Sequence, residues 1–96
     1  ANPAGREKLA TAIGEAIATQ AQTSLNSAIN RMRFLTETLA DRGLMNRSDA
    51  DAITAKLKDM QQIAQMDLLK VDYIKNQMVR LVYAGLTMAK KTGSLC

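Results

Sequence analysis

From Ile53 to Met88 the chain sets one residue on a single seam at alternating spacings of four and three. The positions are Ile53, Leu57, Met60, Ala64, Asp67, Val71, Ile74, Met78, Leu81, Gly85 and Met88. That is five heptads on one line, beyond the three or four that mark a coiled-coil pattern. Such spacing keeps one face of a helix turned toward a partner helix. A strand, whose side chains alternate with period two, cannot present it. Proline would interrupt the helix, and the only one is Pro3, ahead of both patterned segments. Ala, Leu, Met, Gln and Lys, which favour helix, fill much of the chain, and the aromatics are only Phe34, Tyr73 and Tyr83. The fold class is all-α. Two seam positions depart from the apolar rule: Asp67 carries a charge and Gly85 leaves a hole. A polar seam residue can set register or partner number at a cost in stability. Curvature that turns Asp67 to solvent is an equal alternative.

A second, less regular pattern runs from Arg6 to about Arg42 through Leu9, Ile13, Ile17, Ala21, Leu25, Ala28, Met32, Leu35 and Leu39. Its middle, Thr19 to Ser27, is polar and Ala-rich, so it contributes little burial. Between the two patterns lies "ADRGLMNRSDAD". Gly43 suits the left-handed position just past a helix, with Leu39 and Leu44 as the apolar pair that closes such a cap. Ser48 is the candidate N-cap of the next helix, and Asp49 and Asp51 favour its positive end. Met45 has no capping role at this bend. The stretch lacks the alternating oxygen ligands and terminal Glu of a calcium loop. The expectation is a long two-helix hairpin, about 6–42 and 49–91, in one domain of residues 1–96 with flexible ends at 1–5 and 92–96. At 1.5 Å per residue the rods would measure about 55 and 65 Å.

Two rods enclose no core, and small chains bury little surface alone. A second apolar row, Leu68, Leu69, Tyr73, Val79, Val82, Tyr83 and Leu86, makes the last helix apolar on more than half its circumference. A helix of that kind must be covered on several sides. The hairpin is therefore expected to associate, as a coiled coil or helical bundle, with further copies or with a helical protein partner. The expected interface is Leu68, Val71, Tyr73, Ile74, Met78, Leu81, Val82, Tyr83, Gly85, Leu86 and Met88.

The chain holds no His. That removes the usual acid–base group, the commonest metal ligand and every Ser–His or Cys–His nucleophile. The five glycines are isolated from one another, so no phosphate loop forms. No enzyme activity, metal or cofactor is expected. The net charge of +4 is carried mainly by the second half, which permits nucleic acid or an anionic surface as partner. Arg31, Arg33, Lys56, Lys58, Lys70, Lys75, Arg80, Lys90 and Lys91 could meet phosphates, but acids lie among them and stacking aromatics are scarce. A nucleic-acid-binding or membrane-surface helical protein is thus the alternative reading. The single cysteine, Cys96, cannot close a disulfide within the chain. No basic start followed by an apolar run appears, and the most apolar stretch, residues 78–89, is too short to span a bilayer. The expected location is cytoplasmic, or outside the cell after export without a cleavable signal peptide.

The turn "RGLMNRSDADAITAKL" followed by the patterned helix ending "LVYAGLTMAKK" resembles the needle and inner-rod subunits of bacterial type III secretion systems. The comparable region is about Leu25 to Lys91. The resemblance implies a C-terminal helix that polymerises helically and faces a secretion channel, in a subunit held by chaperones before export. It assigns no individual residue. The functional expectation is a non-enzymatic helical assembly protein, a structural subunit or chaperone-like component of a bacterial secretion apparatus.

Overall fold

The computed structural model describes residues 3–91, and the side chains of residues 11–87. Among them there is no strand; the elements are α1 (Pro3–Gln20), α2 (Leu25–Asp41), α3 (Arg47–Met66), a single 3-10 turn (Leu68–Lys70) and α4 (Val71–Lys91). α1 packs on α2 and α4, α3 packs on α2 and α4, and α2 reaches α4 across the centre. The α2–α3 pair is antiparallel: Arg47 at the start of α3 bonds Glu37 and Asp41, while Gln61 near its end bonds Asn26 and Asn30. Likewise Arg31 of α2 reaches back to Gln20 of α1. The result is an up-and-down four-helix bundle with Cα extents of 43 × 24 × 16 Å.

Each of the two expected rods is thus divided. Ser24 (φ −148°, ψ 83°) separates α1 from α2, and Asp67 (φ −140°, ψ 98°) separates α3 from the 3-10 turn and α4. Neither residue is helical, and both are types whose side chains compete with helical hydrogen bonding. Asp67 uses that ability: its carboxylate accepts from the Leu69 N–H at 3.0 Å, and its carbonyl accepts from Lys70 at 3.1 Å. It therefore neither sits on a continuous seam nor swings out from one; it ends the helix. The physical reason for both breaks is coverage. Two unbroken rods would leave the apolar circumference of the last helix in water, whereas folding back covers it with the chain's own α1, α2 and α3. Buried apolar area contributes ~25 cal/mol per Å², far more than the few helical hydrogen bonds lost at two turns.

Ile17, Ile29, Met32, Ile53, Leu57, Ile74, Met78 and Val82 form the centre of the core, each at most 2% exposed. Thr36 lies among them fully buried, its hydroxyl donating to the Met32 carbonyl at 2.7 Å. Pro3 is the first residue of α1, so the helix starts before the expected Arg6; proline lacks only an N–H that has no helical partner there. Residues 92–96, expected to be a flexible end, lie outside the described residues.

The α2–α3 turn carries the two bonds of a Schellman cap. Leu44 N–H donates to the Leu39 carbonyl at 2.7 Å, Gly43 N–H donates to Ala40 at 3.0 Å, and Gly43 takes φ +73°. Ser48 is not the next N-cap. Asn46 (φ −64°, ψ 138°) holds that place, with its carbonyl accepting from Ala50 at 2.9 Å, and Ser48 lies exposed inside the first turn. The helix starts earlier because Arg47 bridges back to Glu37 at 2.9 Å and Asp41 at 2.6 Å. Those hydrogen bonds, Glu37 first and then Asp41, raise the guanidinium pKa further. Asp49 sits in the first turn, while Asp51 is exposed on the next. Met45 is not an exposed tip: at 3% exposure it closes this end of the core.

Candidate association surface at the α3–α4 end

The two hairpins of the bundle are not flush. Gln61 lies level with Asn26 and Asn30, within two turns of the start of α2 at Leu25. α3 nevertheless continues to Met66 before the chain turns. A shallow cleft lined by Leu25, Ile29, Ala64 and Val71 lies between α2 and the α3–α4 end. Past it, the 3-10 turn packs on α3 and α4 alone among the helices.

This end carries the three most exposed large apolar side chains described, with Tyr73 beside them. Met66 is 86% exposed, Leu68 82%, Leu69 94% and Tyr73 60%. Four such residues within eight positions differ from scattered surface apolar residues, which need no explanation. Their charged neighbours are locally matched. The Asp67 carboxylate caps the turn, and Asp72 stands 3.8 Å from Lys75, leaving Lys70 as the exposed cation of the turn. Tyr73 keeps its hydroxyl satisfied by accepting from the Gln77 amide at 2.6 Å. The adjoining α1–α2 turn, Gln22, Thr23 and Ser24, is uncharged.

The expected interface residues separate into two groups. Ile74, Met78, Val82, Gly85 and Leu86 are buried inside the same chain, and Val71 and Leu81 are half-buried against that core. Leu68, Tyr73 and Tyr83 remain exposed, Tyr83 ten residues down α4 from Tyr73 and apart from the α3–α4 end. The side chain of Met88 lies outside the described residues. Met66 and Leu69 complete the exposed group but are absent from the expected interface. Their signal in the sequence is an acid on an apolar seam flanked by large apolar residues, "QMDLLK". Read as a helix end, that stretch leaves its apolar side chains on a turn.

Elsewhere the surface offers less. Phe34, 76% exposed, overhangs an open cleft between α1 and α2 lined by Ile13, Ile17 and Leu35. Among the described residues no three His, Cys, Asp or Glu side chains converge as a metal site would require, and no helix is long and apolar enough to cross a membrane. No family model, curated protein or solved structure matches this chain.

Proposed function

We propose that the chain is a non-enzymatic helical assembly module that associates, through the α3–α4 end, with a second copy or with a helical protein partner. The observation that supports this reading is the group Met66, Leu68, Leu69 and Tyr73, each 60% or more exposed and gathered at one end of the bundle. Large side chains kept in water at one place, where single polar replacements would be tolerated, mark a surface that is covered in use. A structural role in a bacterial secretion apparatus is a narrower form of the same proposal. It rests on the helical pattern from Leu25 to Lys91, and the four-helix closure differs from the two-rod hairpin, read from the apolar spacing, on which the resemblance is drawn.

Replacing Leu68 and Leu69 together by Gln tests the reading. Both side chains are more than 80% exposed, so the fold should keep its stability to within about 1 kcal/mol in urea denaturation. Sedimentation should show the association lost. An assembly of unchanged mass in the double variant would place the contact elsewhere on the molecule.

A further inference from the structure

We propose that two copies of this chain exchange α4, by straightening the Asp67–Lys70 turn so that α3 and α4 become one helix from Arg47 to Lys91. The inference rests on the self-association reading above and names its partner and geometry.

Three observations carry it. The first is phase. The four-three spacing of Met60, Ala64, Asp67, Val71 and Ile74 passes through the turn without a slip, although two helices joined by a turn gain nothing from shared phase. A continuous helix in a coiled coil requires it. The second is the hinge. Asp67 alone is extended (ψ 98°), Val71 is already helical (φ −57°, ψ −46°), and no positive φ occurs in the turn. Rotating φ of Asp67 from −140° by ~75° and its ψ from 98° by ~140°, toward the helical values of about −63° and −42°, joins the helices. The stretch "QMDLLKV" holds neither glycine nor proline. The α2–α3 turn, in contrast, is a committed stop, with Gly43 at φ +73°.

The third observation is what the partner must be. α4 fits its place through close complementarity. A Cβ built on Gly14 would stand 2.7 Å from Leu86 Cδ1 and 3.1 Å from Val82 Cγ1, and one on Gly85 would stand 3.0 Å from Met32 Cε. A slot cut to that shape takes another α4. In the closed chain Lys56 and Met60 of α3 line one cleft with Gln77, Leu81 and Ala84 of α4. A second copy's α4 in the same place sets the two long helices antiparallel, centred near Leu69. The two-fold axis then passes near Leu69, with Asp67 and Val71 on the facing seam, Leu68 beside it, and Met66 and Leu69 on the outer face. Every other contact of the bundle is remade with the same residues.

The test uses the full chain with Cys96→Ser, Lys56→Cys and Ala84→Cys, two positions on the α3–α4 cleft. Monomer and dimer fractions are separated, oxidised and run under denaturing, non-reducing conditions. Exchange yields covalent dimers from the dimer fraction and internally linked monomers from the monomer fraction. A dimer fraction that denatures to internally linked monomers overturns the exchange and leaves self-association standing; absence of a dimer fraction at any concentration removes both. Two hinge variants add an independent arm. Leu68→Pro holds Asp67 extended and forbids the continuous helix, and it should reduce the covalent dimer at least tenfold. Leu68→Ala removes the same apolar side chain but permits helix, and should keep the dimer. Equal loss in both variants would make the effect one of surface contact and overturn the hinge.

Discussion

Two buried glycines show how single residues settle the packing of this bundle. A Cβ at Gly14 would press within 2.7 Å of Leu86 and 3.1 Å of Val82, both core side chains of α4. Gly14→Val should therefore cost about 1–3 kcal/mol in urea denaturation through overpacking. At Gly85 the nearest atom is the flexible end of Met32, 3.0 Å away, with Ile53 Cδ1 at 3.5 Å. There Gly85→Ala gains helix propensity, about 0.5–1 kcal/mol, and the same measurement should show a more stable protein; a loss would mean that Met32 cannot yield. At this scale some features were legible and some were not. Gly43 could be read as a helix stop because only glycine enters the left-handed region freely. Ser48 could not be told from Asn46 as the cap, because the choice is made by Arg47 reaching ten residues back to Glu37. Local sequence does not contain that contact. Met45 was illegible for a related reason: its 3% exposure depends on how four helices close around it.

At the scale of elements, the apolar spacing located every helical face but not the helix ends. Both breaks left a trace, the polar stretch from Thr19 to Ser27 and the acid at Asp67. A trace of this kind is compatible with a weak helix or with a turn. Tertiary coverage decides between them, since propensity differences are below 1 kcal/mol per residue. The consequence is concrete for α4. Its apolar circumference implied partners outside the chain, yet Ile74, Met78, Val82 and Leu86 are at most 5% exposed within it. Met78→Ala should then act on folding rather than on assembly. It should lower stability by about 2–4 kcal/mol in urea denaturation and leave the mass of the folded fraction unchanged. A variant as stable as the parent but altered in mass would return Met78 to an intermolecular surface.

At the scale of the whole molecule, the bundle resolves the difficulty of a small chain with long apolar helices by folding its two halves against each other. It leaves one end uncovered, where the turn between α3 and α4 holds Met66, Leu68, Leu69 and Tyr73 in water. A closed subunit with one apolar end is a module for joining, whether by contact or by exchange of α4. The candidate surface was partly legible beforehand: Leu68, Leu69 and Tyr73 stood in the second apolar row, although Leu69 was not carried into the expected interface, whereas Met66 needed the turn at Asp67 to be known. The most direct measurement of the central claim is the sedimentation mass of the full chain across a rising concentration series. A shift from single-chain mass to a dimer or higher assembly, abolished by Leu68→Gln with Leu69→Gln, is the predicted result. A single-chain mass at every concentration, or an assembly indifferent to that double change, would contradict self-association through this end.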